Sequence, residues 1–553
     1  MVSFLLIVSI FAEMALAGTV YRARFLEFPD GRRELLSEGF SSGRDDNFIE
    51  KIREIRYPET ILEHKPLGKN EVVELEALTR APIHRELRVR HVRLSHLPES
   101  RVDEVKTLIQ NGPIQNRINL VFMGDGYTHS ERDLFFDDME RLVKDMFEGP
   151  TFHSYLPLFN VHLVFRASNE SGIGKNDTPK DTAYGLYRVG NTLRAIMTSK
   201  PSAIDQSCSN APQCDYRIVI ANDPYYGGLG GRFAIATRSE TTGTVVLRHE
   251  LGHTFGSVGE EYDGGGYFGA NHSDSLTAIK WKHWLSGPLR EEPVVARFLD
   301  WVWQNLEGAP FTAGFASDGR FSSAIIDFSA SGVPNDSDLI PTIDGKPLPF
   351  HGTGNMDRFF QIVKLNQGFS AGVHRLRFEA GPNVKSAAMS SLTVHEFGKD
   401  YHFEEDFVGA FPVFNQSLSD EGYRPTHGTC LMREMPSRRF CSVCQENNWL
   451  KFFAKVALID DVRVEIEESH ASVKAEIIKL GQLRVGGALN EREELEIRWY
   501  RDGLEILALS GKLEWSMPVV ESLGNWELRV TYHTPEVRKD TAKLLSAKKA
   551  FSI

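Results

Sequence analysis

A mixed α/β (α+β) core carrying additional all-β sandwich domains is the fold class the sequence predicts, and three observations predict it. Between residues 118 and 237, short apolar strand-like runs alternate with a helical stretch. Residues 244–255 form a second helical pattern, with Leu247, Leu251 and Phe255 recurring every fourth position as one apolar stripe. Two long stretches, 293–405 and 462–553, alternate apolar and polar residues between turn signals, as sandwich strands do. At 553 residues, three or four domains are expected.

The elements follow in order. Residues 1–17 read as an export signal: Phe4 to Phe11 is compact and apolar, and Ala15-Leu16-Ala17 is a small-x-small cleavage site, although no Lys or Arg precedes it. Residues 18–112 open with Thr19 to Phe28, which alternates like a half-buried strand, and are assigned to an N-terminal β-rich domain. The central domain is predicted to occupy 113–292 and 406–461. It begins with a strand at 118–123, then a helix from a Ser130 cap to Glu148, then strands at 159–166 and 215–220. A glycine-rich loop at 225–231 lacks the Gly-Lys-Ser/Thr of a phosphate cradle, and a strand at 232–237 follows it. Residues 293–405 read as an inserted β-sandwich, with strands at Val373–Phe378 and Ser391–Glu396 and a turn at Asp344-Gly345. Residues 462–553 read as an immunoglobulin-like sandwich. Its strands lie at Glu494–Tyr500 and Trp526–Tyr532, with a turn at Asp502-Gly503, and Trp499 is a candidate buried tryptophan that no cysteine pair brackets.

Composition bounds the partners. Hydrophobic residues make up 41% and charged residues 25%, as in soluble globular proteins. The net charge is −12 with no long basic tract, which argues against nucleic acid and anionic membrane surfaces. No run after the N-terminus approaches the ~20 apolar residues of a membrane span. Of five cysteines, Cys208 and Cys214 flank a polar loop and are expected to form a disulfide in an oxidising compartment. Cys430 is expected to pair with Cys441 or Cys444, leaving one over. A zinc ribbon is disfavoured because Cys441-Ser-Val-Cys444 has no second close pair. Five sequons, at Asn169, Asn176, Asn271, Asn335 and Asn415, fit a secreted glycoprotein.

The chemistry resides in His249-Glu250-Leu251-Gly252-His253, followed by Gly256 and Glu260-Glu261. Two histidines four apart on a helix point the same way and can share one metal ion. They fall nearly opposite the Leu247–Leu251–Phe255 stripe, so the helix can bury one side and aim both imidazoles into a cleft. Gly256 and Gly259 are expected to turn the chain back through positive φ and return a carboxylate to the metal. Two imidazoles and one carboxylate leave a position open at zinc, as a catalytic site requires. Glu250 is the candidate general base. The third ligand is Glu260 or Glu261, which spacing does not separate; Asp263, beside three glycines, reads as a turn residue.

Four segments resemble the IgA-peptidase (igalysin) zinc metallopeptidase family of the metzincin group. They are Ile118 to Tyr127, Phe159 to Phe165, His249 to Tyr262, and Cys430-Leu-Met-Arg433 with Phe440 to Cys444. The resemblance spans about residues 113–458 with a break in the middle. It implies a metzincin-like fold, metal ligands at His249 and His253, and a catalytic Glu250. The family's acidic pair is Asp-Glu where this chain has Glu260-Glu261, which tilts the matching ligand toward Glu261 without settling it. The resemblance also implies that Met432 lies in a tight turn beneath the metal, and that an edge strand beside the site, residues 232–237, holds substrate backbone by strand addition. The reading expected is a secreted, extracellular zinc metalloendopeptidase acting on protein or peptide. The contrasting reading is a non-catalytic secreted protein that binds glycan or protein on a peptidase-like scaffold. The intact His-Glu-x-x-His favours the first.

Overall fold

The computed structural model describes residues 103–480 and 492–553, and before them the backbone of four strands. The chain divides into two units, Met1–Val102 and Asp103–Ile553. In the first, Thr19–Glu27 pairs antiparallel with Arg33–Ser42 and with Val72–Ala77, which pairs in turn with Ile61–His64. The expected export signal lies outside the described residues.

The second unit is mixed α+β and dominated by sheets. Its central sheet runs in the order Ala234–Thr237, Tyr216–Ala221, Ile118–Asp125, Phe159–Phe165, Glu104–Gln110. The first four strands are parallel, and only the last is antiparallel. Ile118–Asp125 and Phe159–Phe165 are buried at every position, and their polar members satisfy one another: Asn160 Nδ2 donates to Asn119 Oδ1, which also lies 3.4 Å from His162 Nε2. One face receives Phe135, Met139 and Leu142 from the helix Arg132–Glu148 and Leu247, Leu251 and Phe255 from the helix Gly243–Gly256. The other is covered by Tyr184, Leu186, Ile196 and Ile204. The first helix is not capped by Ser130. Thr128 makes a reciprocal capping box with Glu131 across a short 3-10 turn that precedes the helix.

Residues 294–397 form two facing sheets with a core of their own, including Phe315, Ile326, Phe328, Leu376, Phe378 and Leu392. Asp344 and Gly345 both take positive φ, 51° and 78°, as a tight hairpin turn requires. Asp502 and Gly503 do the same, at 47° and 83°. Strands from Ile459 to Ser552 build two further sheets around Trp499, which is fully buried and donates from Nε1 to Lys512 O. This last part shares one continuous core with the central sheet. Arg117 pairs with Asp460 in a buried ion pair, and Tyr532 packs on Trp449 and Phe453 of the helix Ser442–Phe453.

One side chain ties the 294–397 region to the helix Gly243–Gly256. Asp357, 4% exposed, accepts hydrogen bonds from the hydroxyls of Ser239, Thr241 and Thr242 and from Tyr226 N. Thr242 is the residue that precedes the helix. Asp357→Ala removes the acceptor of three hydroxyls, of which that of Ser239 is buried, so urea unfolding should show a loss of about 1–3 kcal/mol. An unchanged midpoint would mean that the helix start does not need this carboxylate.

Candidate metal centre

The helix Gly243–Gly256 buries Leu247 and Leu251 completely and Phe255 almost so. His249 and His253 emerge on its other side. Each has its orientation fixed by a carbonyl: His249 Nδ1 lies 3.0 Å from Leu431 O, and His253 Nδ1 lies 2.8 Å from Val258 O. A ring nitrogen facing a carbonyl oxygen must donate, so in the neutral rings Nε2 carries the lone pair. The two Nε2 atoms are 3.2 Å apart.

The return of the chain is not made by glycine at positive φ. Gly256 is helical, and Ser257 takes the left-handed conformation, φ 50°. Gly259 matters for space instead, because a Cβ there would meet Gly266 O at 2.4 Å. The loop brings Glu260 to the histidines, with Oε1 3.1 Å from His253 Nε2 and Oε2 3.2 Å from His249 Nε2. Glu261 points away into the core, where Asn271 Nδ2 donates to its Oε1. The structure therefore separates the two glutamates that spacing could not, and the family resemblance had leaned toward the other one. Asp263 lies in a turn, as expected, with Gly265 N donating to Tyr262 O, but it does more than turn the chain. It is a buried carboxylate that accepts from Arg433 Nη1, His395 Nε2 and Phe414 N.

His249, His253 and Glu260 together form a ready-made cation site. Three acceptors converge, and Glu260 Oε2 is buried with no hydrogen-bond donor. Tetrahedral zinc with bonds of about 2.0–2.1 Å separates its ligand atoms by about 3.3–3.4 Å, close to the spacing here. Burial opposes charge on His249, but the Glu260 carboxylate outweighs it and lifts the imidazole to about 9. The same contact holds Glu260 well below the usual carboxylate range, against burial. Glu250 is not among the converging atoms. Burial raises its carboxyl above the ordinary range, and the two histidines pull it part of the way back.

Met432 is fully buried, and a Cβ on Gly252 would sit 2.7 Å from its Sδ. It therefore lies against the helix between the two histidines, in the turn that also supplies Leu431 O. The glycine-rich loop closes over Glu250 from the other side: a Cβ on Gly230 would meet Glu250 Oε2 at 2.7 Å, and one on Gly228 would meet Oε1 at 3.1 Å. Leu229 and Ile235 exchange both backbone hydrogen bonds, so the expected edge strand at 232–237 is already paired at its centre.

These groups line a cleft of about 460 Å³. Its far wall comes from the inserted sandwich, with Leu299, Trp301, Arg358, Phe360 and Thr393. Arg358, 2% exposed, lies among Tyr226, Trp303 and Phe360. Sequence reasoning named none of these wall residues; Leu299, Phe360 and Thr393 lie on strands, and Trp301 and Arg358 directly beside strand ends, and alternation reveals a buried face but not which strands border a cleft.

The cysteines follow the expectation in part. Cys208 and Cys214 form a disulfide. Cys430, Cys441 and Cys444 are all buried and unbridged, so the expected second disulfide is absent. Among the sequons, Asn271 is 1% exposed and engaged with Glu261, which rules out a glycan there in the folded chain. Among the described residues, no helix is long and apolar enough to cross a membrane.

Residues 106–306 match the family described as IgA Peptidase M64, the family that the sequence resemblance named. No curated protein matches the chain. Among solved structures, the chain is similar to a GH2 β-galacturonidase from Eisenbergiella tayi at 11% identity, covering 44% of this chain and 34% of that one, with a TM-score of 0.12. A β-glucosidase from Kluyveromyces marxianus matches at 8% identity over 44% of each chain, TM-score 0.13. β-Glucuronidase 2 from Bacteroides uniformis matches at 11% identity over 44% of this chain and 26% of that one, TM-score 0.11. At such scores these likenesses carry no weight for fold or chemistry.

Proposed function

We propose that this chain, whose residues 106–306 match IgA Peptidase M64, is a secreted zinc-dependent endopeptidase. The observation that carries the reading is the convergence of His249, His253 and Glu260 at the floor of an open cleft, with Glu250 beside them and outside the ligand set. His249 Nε2, His253 Nε2 and one Glu260 oxygen would hold the ion. When bound there, zinc supplies a Lewis acid that polarises a carbonyl and brings the pKa of water down to about 7.

The protein's own groups do the rest. Leu431 O and Val258 O fix the imidazole orientations. Glu250 takes a proton at Oε from the attacking water and delivers it to the leaving amine. The cleft of about 460 Å³, lined on one side by the histidine helix and on the other by residues of the inserted sandwich, offers room for a peptide beside Glu250. Export is supported by the apolar N-terminal segment with its Ala15-Leu16-Ala17 site and by the Cys208–Cys214 disulfide.

The test is digestion of a mixed peptide library, casein and an immunoglobulin preparation by the purified mature protein. Cleavage should occur within chains, stop on chelation and return with zinc. A zinc-loaded protein that cuts nothing overturns the reading.

The glycine-rich loop yields a sharper expectation. Gly230→Ala places its methyl 2.7 Å from Glu250 Oε2 and 3.2 Å from the His253 side chain, and against no backbone, so the fold should persist, and metal content measured on the same sample separates an effect on Glu250 from one on His253. The carboxylate must shift, and a displacement of about 1 Å can cost roughly 10²-fold in rate. Cleavage near the wild-type rate by Gly230→Ala would show that Glu250 has no fixed position.

A further inference from the structure

A second group of side chains meets in the core, on the other side of the Met432 turn. Glu261, Cys430, Cys441 and Cys444 are all buried, and one ligand atom of each lies within 4.8 Å of every other. Cys430 Sγ is 3.8 Å from Cys444 Sγ, and Cys444 Sγ is 3.7 Å from Glu261 Oε1. A disulfide would bring two sulfurs to about 2.05 Å. Tetrahedral zinc, with Zn–S near 2.3 Å and Zn–O near 2.0 Å, sets two sulfurs about 3.8 Å apart and a sulfur about 3.5 Å from an oxygen. The observed spacings lie close to the edges of that tetrahedron. We propose that Cys430, Cys441, Cys444 and Glu261 hold a second zinc ion, in a closed structural site distinct from the histidine centre.

Independent observations point the same way. Glu261 is fully buried, and its Oε2 has no hydrogen-bond donor. A carboxylate left so in an apolar core is costly, whereas a cation satisfies it. Asn271 fixes the carboxylate through Oε1, the kind of outer contact that orients a ligand. Cys441 is the residue that precedes the helix Ser442–Phe453, a position at the positive end of the helix that favours thiolate. Arg424, 3% exposed, faces Glu261 and offsets part of the surplus negative charge. Two competing uses of the cysteines fail on burial and geometry. The three sulfurs leave an odd thiol under any disulfide scheme, and a redox Cys-x-x-Cys needs an accessible sulfur, whereas Cys441 and Cys444 are each 2% exposed.

The site explains the acidic pair: Glu260 faces one ion and Glu261 the other. It also explains how the floor of the cleft is held. Cys430 opens the turn that carries Leu431 and Met432, and Glu261 N donates to Met432 O at 2.9 Å. An ion bound to Glu261, Cys430 and the helix bearing Cys444 fastens three separate segments beneath His249. This inference does not depend on the peptidase reading.

The test is metal analysis of the purified full chain, with cobalt substitution. Two ions per chain are expected, and the cobalt form should show a thiolate-to-metal charge-transfer band in the near ultraviolet. His249→Ala should lose one ion and keep the band. Cys444→Ser should lose one ion and most of the band. Glu261→Cys, which replaces one ligand by another, should keep both ions and strengthen the band, a result that mere core packing would not give. If the serine variant fails to fold, the cobalt spectrum of the wild-type chain decides. A wild-type chain without the band, or a mapped disulfide among these three cysteines, overturns the proposal. One ion with the band would uphold this site and count against the histidine centre; one ion without it would do the reverse.

Discussion

Glu250→Gln is expected to leave the protein folded and loaded with metal while cleavage falls by about 10²–10⁴-fold. The substitution keeps the side chain's size, so the space beneath Gly228 and Gly230 remains filled. It leaves the three converging ligands untouched, since Glu250 is not one of them. It removes only the ability to accept a proton, because an amide is no base at neutral pH. The loss should appear in kcat, with KM little changed, as for a group needed in the transition state rather than in binding. Metal content measured on the same sample separates this outcome from loss of the ion. A variant that cleaves at the wild-type rate would remove Glu250 from the mechanism.

Asp263→Ala should give the largest loss of stability, about 3–5 kcal/mol, the cost of breaking a buried ion pair by deleting one partner. Asp263 is 4% exposed and joins three separate parts of the chain. Arg433 comes from the Met432 turn, His395 from a strand of the inserted sandwich, and Phe414 from the return segment. Burial works against its charge, but Arg433 and His395 hold the carboxyl well below its ordinary range. Removing it leaves the Arg433 guanidinium buried beside the cleft. Asp263→Asn keeps an oxygen for Phe414 N and should cost less. Urea unfolding reads both, and a loss under about 1 kcal/mol for Asp263→Ala would show that water replaces the carboxylate.

The histidine helix was legible because local rules and burial agree there. Leu247, Leu251 and Phe255 recur at the helical period and are the residues that enter the core. The strands at 118–125 and 159–165 were legible as short, mostly apolar segments bounded by turn signals, although their buried Asn119, Asn160 and His162 gave no sign of facing inward. The hairpin turns at Asp344-Gly345 and Asp502-Gly503 followed from residues that tolerate positive φ. What stayed hidden were contacts between distant segments. Glu260 and Glu261 are adjacent, and which one faces the histidines depends on a loop closed by Gly266 O and Met432 O. Cys430 and Glu261 meet Cys441-x-x-Cys444 only after the fold is formed, so a search for a second close cysteine pair could not find them. Asp263 beside three glycines has a turn-like composition, and its partners at 395 and 433 lie beyond any local window.

The contact between His249 and Leu431 spans 182 residues, and that between Thr242 and Asp357 spans 115. Translation at about 5–20 residues per second puts roughly 10–40 s between emergence of His249 and emergence of the carbonyl that aims it. For that interval the nascent chain carries the His-Glu-x-x-His sequence without the groups that orient its first histidine. Assembly of the cleft is thus timed by the order of synthesis, and the last parts to arrive are those that set its geometry.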